Sequence, residues 1–301
     1  MAVHAHPDDE SSKGAATYAY YHNHGADVMV VSCTGGERGE VLNAELAELA
    51  RAERDLPGLR RAEMAAAQAI MGVQHRWLGY QDSGMASDDG SVPPNSFADI
   101  PVEISTEPLV RLIRSFRPHV LVTYDENGGY PHPDHIRSHV ISIEAYNAAG
   151  DPTRYPDAGE PWQVSKLYYE RIMNSKRFAS LYDLLIEHEP DSPLVARIEE
   201  MRGWMDDRPY LGTTQVPAGE YFDARDAALR AHASQVAPDS GFFFWPNHLL
   251  QRAWPFEDYQ LIDSKVETTM PETDLFAGIA DDDAPGDASG ASAARGAQVA
   301  S

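Results

Sequence analysis

Short apolar runs recur through the first half of the chain, and a longer stretch with helical spacing follows each of them. The apolar runs predict β-strands over Met1–His4, Asp27–Cys33, His75–Leu78 and His119–Tyr124. The stretches after them predict helices over Lys13–His24, Leu59–Met71, Pro108–Phe116 and from Pro133 to about Ala148. Such alternation is typical of βαβ units, in which helices flank a mostly parallel sheet. We therefore predict an α/β, Rossmann-like fold.

The second half follows a less regular pattern, which predicts an irregular α+β region. A strand is predicted over Leu167–Glu170, and helices over Phe178–His188 and Phe222–Val236. From Pro271 the composition shifts to Ala, Gly, Ser and Asp without periodicity, which is typical of disorder. We predict a Rossmann-like core over residues 1–150, a region over 151–270 that completes the sheet and the pocket, and a disordered tail over 271–301.

Charge and composition exclude several classes of partner. The 301 residues carry 47 Asp and Glu against 24 Lys and Arg, a net charge of −23 that repels nucleic acid and anionic lipid. No apolar run is long enough to predict a membrane span. The N-terminus lacks a secretory pattern, and Cys33 is the single cysteine, so we expect a cytoplasmic protein. The first predicted strand is shorter than usual, which leaves open a start further upstream.

The segment His6-Pro7-Asp8-Asp9-Glu10 follows the first predicted strand and precedes a helix. If the helix starts at this point, His6 and Asp9 face the same way, whereas Asp8 points elsewhere. An imidazole and a carboxylate on one side of a loop supply half of a zinc site. The alternative interpretation is that Asp8 and Asp9 only cap the helix N-terminus.

A second segment of the same kind, Tyr130-Pro131-His132-Pro133-Asp134-His135, follows the fourth predicted strand. With the strand order 3-2-1-4-5 of a doubly wound sheet, strands one and four are neighbours. The loops at their carboxyl ends then flank the point at which ligands bind. The two segments are therefore predicted to meet around one metal ion per chain.

The predicted ion belongs to a catalytic site, since protein ligands with an open position are typical of catalytic zinc. Two imidazoles and one carboxylate leave a positive centre, which polarises a carbonyl and acidifies a water, and they suit iron(II) as well as zinc. Spacing alone leaves both His132 and His135 as candidate ligands. Asp8, a carboxylate beside the ion, is then a natural general base.

The motifs HAHPDDE, TGGERGE, YQDSGM and YPHPDH together resemble the LmbE/PIG-L superfamily of metal-dependent N-acyl sugar deacetylases, over about residues 1–265. Within it the sequence is most similar to the amidases that act on mycothiol S-conjugates. The resemblance implies hydrolysis of the amide between glucosaminyl-inositol and the N-acetylcysteine S-conjugate, so the expected partner is a small-molecule thiol conjugate. It also implies that His6, Asp9 and His135 are the metal ligands.

The same resemblance implies roles for other residues. Asp8 matches the general base, and His132 matches the histidine that assists the oxyanion and the leaving amine, with Asp134 orienting it. Tyr130 resembles a mobile tyrosine that helps to hold the tetrahedral intermediate. Four further residues are expected to bind substrate: Arg60 and Asp82 on glucosaminyl-inositol, Glu40 on the sugar, and Lys13 as a feature of the amidases.

Two other classes of protein compete with this interpretation. A dinucleotide-binding protein is disfavoured, because Gly35, Gly36 and Gly39 follow the second strand and do not spell GxGxxG. A non-catalytic sugar-binding protein would need neither Asp8 nor His132, and its binding would survive a chelator that stops amide hydrolysis.

Within the enzymes, a deacetylase acting on N-acetyl-glucosaminyl-inositol or another N-acetyl sugar is the nearer alternative. Lys13 and the QDSGM segment favour the amidase. For Arg60 the structural alternative is a plain surface pair with Glu63 on one helix.

Overall fold

Seven strands form one sheet in the described part of the chain, which covers residues 1–205, 209–243 and 246–280 of a computed structural model. The strands are β1 (Ala2–His4), β2 (Met29–Thr34), β3 (Gln74–Tyr80), β4 (Val120–Thr123), β5 (Lys166–Glu170), β6 (Thr214–Val216) and β7 (Glu257–Ser264). Their order is β3-β2-β1-β4-β5-β7-β6. Strands β1 to β5 pair in parallel, and β7 is antiparallel to both of its neighbours. The predicted α/β fold with a mostly parallel sheet is confirmed.

Helices connect these strands, with three short 3-10 turns at Pro156–Ala158, Gly219–Tyr221 and Gly241–Phe243. The helices are α1 (Asp9–Ser12), α2 (Ala15–Asn23), α3 (Leu49–Met71), α4 (Val102–Phe116), α5 (Pro133–Ala149), α6 (Ser175–His188), α7 (Pro193–Met205), α8 (Phe222–Ala231) and α9 (Asn247–Ala253). Within the described ranges, none of them combines the length and the apolar character that crossing a bilayer requires.

Alternate residues of the central strands enter two separate apolar clusters, one on each face of the sheet. Ala2 and Val30 belong to the first cluster, whereas Val3 and Val31 belong to the second. Parallel strands flanked by helices on both faces are apolar at nearly every position, which explains the continuous apolar runs in the sequence. Each of the three buried valines stabilises the fold by about 1.5–3 kcal/mol.

Several helices differ in extent from the predicted ones. The helix predicted over Lys13–His24 is interrupted between α1 and α2. Helix α3 starts well before Leu59 and bends at Asp55, which has non-helical angles of φ −154° and ψ 67° two residues before Pro57. The helix predicted to reach Val236 ends at Ala231.

The expectation of a disordered tail from residue 271 is wrong for residues 271–280. Glu272 is 3% exposed, and its carboxylate accepts hydrogen bonds from Lys166, Tyr168 and Thr214 on the sheet. Leu275 packs in the first apolar cluster. The composition does not reveal this segment, because the buried polar contacts of Glu272, rather than apolar residues at regular spacing, hold it on the sheet. Residues 281–301 lie outside the described residues.

Candidate active site

The loops at the carboxyl ends of β1 and β4 meet, because these strands are adjacent and parallel in the sheet. Asp9 lies between imidazoles from both loops. Its Oδ2 is 3.5 Å from His6 Nδ1 and 3.4 Å from His135 Nε2. All three residues are buried. The structure therefore brings together the three residues that the resemblance implies as metal ligands.

Each imidazole has a neighbour that fixes which nitrogen faces Asp9. His6 Nε2 lies 3.3 Å from Asp134 Oδ2, and His135 Nδ1 lies 2.9 Å from the carbonyl oxygen of Gly128. These acceptors favour the proton on those nitrogens, so in the neutral rings Nδ1 of His6 and Nε2 of His135 carry the lone pairs. Histidines that bind metals in proteins are oriented in this way.

The two donor-atom distances at Asp9 Oδ2 suit one small divalent cation. A tetrahedral ion with ligand distances of about 2.1 Å separates its ligands by about 3.4 Å, close to the two distances at Asp9 Oδ2. His135 Nε2 is buried without a hydrogen-bond partner. Burial, the largest influence, lowers the pKa of His135 to about 3, so that its imidazole is neutral and able to bind a metal.

Negative charge gathers around His6. Burial lowers its pKa, but hydrogen bonds with Asp134, Asp82 and Asp9 outweigh that effect and raise the pKa well above its usual value. This cluster contains two sets of three residues, and within each set the donor atoms lie within 4.8 Å of one another. The sets are His6, His132 and His135, and His6, Asp82 and Asp134. The site thus attracts positive charge, and His132 stays close enough to be an alternative ligand.

Asp8 is at the N-cap position of α1, but its side chain does not cap the helix, so the interpretation of this side chain as a cap is wrong. Its side chain makes no capping hydrogen bond, and its φ of +103° is unusual for a residue other than glycine. The backbone N–H of Asp8 donates to Glu10 Oε2 at 2.9 Å, and Glu10 Oε1 lies 2.8 Å from Nε2 of the buried His232. The hydrogen bond from Asp8 N–H to Glu10 holds the Asp8 side chain away from α1 and towards the cavity.

Arg60 is buried at the base of the Asp8 loop, so the surface pair with Glu63 does not form. Its guanidinium donates to the carbonyl oxygens of Pro7 at 2.5 Å and Gly36 at 3.0 Å, and to Asp8 Oδ2 at 3.2 Å. The φ of +66° favours glycine at position 36, and a Cβ there would lie 1.9 Å from Arg60 Nη1 and displace the guanidinium. Burial raises the pKa of Asp8, and the charge of Arg60 opposes that rise.

The carboxylate of Asp134 contacts His6, whereas only its backbone N–H contacts His132. Asp134 Oδ2 accepts the backbone N–H of Ser83 at 2.9 Å and faces His6. Its own backbone N–H donates to His132 Nδ1 at 3.1 Å, so the proton of the neutral His132 ring is on Nε2. Burial and the charge of His6 lower the pKa of His132, which favours that neutral form.

An open cavity of about 480 Å³ lies over these residues. Its walls include Tyr130, which is 48% exposed, and Glu40. Asp82 also lines it, although its two oxygens accept backbone N–H groups from Arg38 and Gly84. Lys13 does not line the cavity, because its ammonium lies 2.5 Å from Asp9 Oδ1, opposite the imidazoles.

Glu10, Leu42 and Met85 were not predicted as residues of the site. The signal that could have identified Glu10 as a residue of the site is its position in the HPDDE segment. Leu42 and Met85, each 64% exposed, form an apolar rim on the cavity. Gln235 joins the wall through a bond to the carbonyl oxygen of Glu40 at 3.0 Å, and this contact spans most of the chain.

Comparisons with known proteins identify relatives of the chain. Residues 1–146 match the PIG-L family model, described as GlcNAc-PI de-N-acetylase. The chain is 46% identical over 287 residues to the mycothiol S-conjugate amidase of Streptomyces coelicolor, covering 93% of this chain and 97% of that protein. It is 40% identical over 289 residues to the 1D-myo-inositol 2-acetamido-2-deoxy-α-D-glucopyranoside deacetylase of Streptomyces scabiei, with coverages of 93% and 89%.

Solved structures share the fold at lower identity. The N,N'-diacetylchitobiose deacetylase of Pyrococcus horikoshii superposes with a TM-score of 0.57 and 17% identity, covering 87% of this chain and 82% of that one. At that identity the likeness concerns the fold alone.

Proposed function

Because the chain belongs to the PIG-L family of amide-hydrolysing enzymes, we propose that it cleaves the amide between glucosaminyl-inositol and the N-acetylcysteine S-conjugate of mycothiol conjugates. The observation that carries the reaction is the meeting of His6, Asp9 and His135 beside Asp8. The identity to the amidase over nearly its whole length supports the substrate. The buried lone thiol of Cys33 is compatible with work in the cytoplasm.

His6, Asp9 and His135 would hold one cation, zinc or iron(II), in this proposal. A divalent cation there supplies Lewis-acid polarisation of the amide carbonyl and acidification of a water. Lys13 neutralises the remaining oxygen of Asp9 and thereby keeps Oδ2 directed at the imidazoles. Asp134 and Gly128 keep the two lone pairs aimed at the same point.

Asp8 serves as the general base. Its carboxylate lines the cavity and is 27% exposed, so it reaches the attacking water. The raised pKa brings the carboxyl closer to the working pH of an enzyme, which favours proton transfer in both directions. Arg60 keeps the carboxylate ionised before reaction and fixes the loop through the carbonyl oxygen of Pro7.

His132 and Tyr130 stabilise the negative charge that develops on the amide oxygen, and His132 also assists the leaving amine. Nε2–H of His132 is the donor that the Asp134 contact leaves to the cavity. Burial raises the pKa of Tyr130, so its hydroxyl stays protonated and able to donate. A well-placed donor of this kind contributes about 2.7–4 kcal/mol to the transition state. Arg60, Asp82 and Glu40 remain the proposed contacts for the glucosaminyl-inositol.

The deacetylase activity is the second candidate, since the Streptomyces scabiei relative carries that name at 40% identity. The test compares kcat/KM of the purified enzyme on a bimane-labelled mycothiol conjugate and on the acetylated pseudodisaccharide. We expect the conjugate to react faster. A faster release of acetate would assign the chain to the deacetylases instead.

A chelator control separates both activities from sugar binding alone. Both reactions should stop in the chelator and return with added zinc or iron(II). Turnover that persists in a chelator, with no metal in the protein, would contradict the proposed chemistry.

A further inference from the structure

An apolar groove of about 440 Å³ lies next to the catalytic cavity. Two loops form a common wall between them. In one loop Tyr130 and His132 line the cavity, whereas Pro131 and Pro133 line the groove. In the other loop Met85 lines the cavity, and the next residue, Ala86, lines the groove. A ligand bound in the cavity is therefore separated from the groove by the width of one loop.

The lining of the groove is suited to an apolar group. It includes Ala86, Val92, Val102, Pro131, Pro133 and Ile136, all of which are exposed or only partly buried. The one charged residue of the lining, Arg137, donates its guanidinium hydrogens to the carbonyl oxygens of Ala98 and Ile100. Its charge is thus committed to the protein backbone rather than offered to a polar ligand.

We propose that this groove binds the apolar substituent on the sulfur of the thiol conjugate. The inference rests on the proposed amidase function. The sulfur of such a substrate is one cysteine side chain away from the scissile carbonyl carbon, so a group attached to it must lie close to the catalytic residues. The exposed Met85 at the junction offers a soft apolar surface along the path between the two spaces.

The occupant follows from the chemistry of the two substrates. An acetylated substrate ends at a methyl group and has nothing to place in the groove. A conjugate of an apolar electrophile carries a group that must otherwise remain in water. Burying a group of benzyl size against apolar side chains is expected to raise kcat/KM by at least tenfold over an S-methyl conjugate.

The test introduces a charge into the groove without disturbing the helix beneath it. Val102→Asp places a carboxylate in the first turn of α4, where acidic residues stabilise a helix. Ile104→Asp is the matched control, because Ile104 lies in the same turn, is 60% exposed and does not line the groove. Ala86→Trp is a second groove variant, at an exposed position, that fills the space instead of charging it.

The measurement is kcat/KM on S-methyl, S-benzyl and S-bimane conjugates and on the acetylated pseudodisaccharide. In both groove variants the preference for benzyl and bimane over methyl should fall about tenfold, while the S-methyl and acetylated rates stay within about twofold of wild type. Ile104→Asp should match wild type on all four.

Two results would overturn the inference in different ways. Groove variants that retain the wild-type preference, or that lose S-methyl and S-benzyl activity equally, would remove the groove from substrate binding while leaving the amidase function intact. A wild-type enzyme that hydrolyses no conjugate but releases acetate would refute the amidase function, and the groove proposal with it.

Discussion

The Asp8 loop depends on one buried carboxylate, that of Glu10, and replacing it by glutamine tests how the proposed base is held. Glu10 is fully buried, and its two oxygens accept hydrogen bonds from Asp8 N–H and Ser11 Oγ and contact His232 Nε2. The positive φ of Asp8 costs about 1–3 kcal/mol, which surrounding contacts must offset. The hydrogen bond from Asp8 N–H to Glu10 is one of these contacts, and the bonds of Arg60 to Pro7 and Asp8 are others.

The expected loss follows from the number of donors that meet Glu10. A glutamine side chain has one oxygen, so its NH₂ group must face either Asp8 N–H or the His232 nitrogen. The charge on Glu10, which together with its hydrogen bond helps to raise the pKa of His232, is lost as well. A lost charged hydrogen bond and an unsatisfied buried donor each cost about 1–3 kcal/mol. We expect Glu10→Gln to lower the free energy of unfolding by about 2–4 kcal/mol.

The effect on turnover separates a positioning role from a merely structural one. A shift of the Asp8 side chain by about 1 Å is expected to lower kcat by about a hundredfold, with the metal content unchanged. The assay combines urea unfolding, steady-state kinetics and metal analysis.

Glu63→Gln is the control for this experiment. Glu63 is also a buried carboxylate, and it accepts two hydrogen bonds of 2.7 Å from Ser234. It should lose comparable stability and keep kcat within about twofold. A Glu10→Gln enzyme with normal turnover and stability, or with losses no different from those of Glu63→Gln, would refute the reasoning.

Further predictions concern the metal loop and the C-terminal segment. Gly128→Ala would bring a Cβ within 2.5 Å of the His135 Cβ and should lower metal affinity by about 10–100-fold in equilibrium titration. Gly129→Ala has a similar positive φ but nothing within 4 Å of the added Cβ, so it is the control for backbone strain and should lower the affinity much less. Glu272→Gln should leave the buried Lys166 unpaired and cost about 3–5 kcal/mol in urea unfolding. Because the folded pKa of Glu272 is depressed, its stabilisation is present above about pH 4.5 and lost as pH falls through the folded pKa, so Glu272→Gln should flatten the acid limb of the stability profile.

The meeting of the two metal loops could be predicted because it depends on topology. Parallel strands place their carboxyl ends on one edge, and periodicity identifies the strands. The common orientation of His6 and Asp9 has a different origin from the predicted one. The prediction is for a helix that starts at His6, whereas α1 begins at Asp9 and the intervening turn bends at Asp8. The two side chains face the same point because Asp9 Oδ2 also accepts the backbone N–H of His6 at 2.9 Å.

What the sequence could not indicate is mainly the long-range pairing of polar groups. The conformation of Asp8 is stabilised by Glu10, whose own partner, His232, is 222 residues further along the chain. No local pattern encodes such a pair. The anchoring of Glu272 on Lys166 is of the same kind, and composition alone led to the tail being placed too early.

The contacts of Arg60 on helix α3 could not be predicted from the sequence either. Spacing within α3 suggested a surface pair, yet the side chain crosses to the loops that follow β1 and β2. Helical periodicity describes which face a residue occupies but not which neighbour it contacts across that face.

Metal stoichiometry at equilibrium is the most direct test of the central claim, that His6, Asp9 and His135 bind one ion while Asp8 stands beside it. Wild type and Asp8→Ala should each bind one zinc or iron(II) per chain, and His135→Ala should bind none under the same conditions. Asp8→Ala should nevertheless lose nearly all turnover. A His135→Ala protein that retains a full equivalent of metal with wild-type affinity would contradict the account.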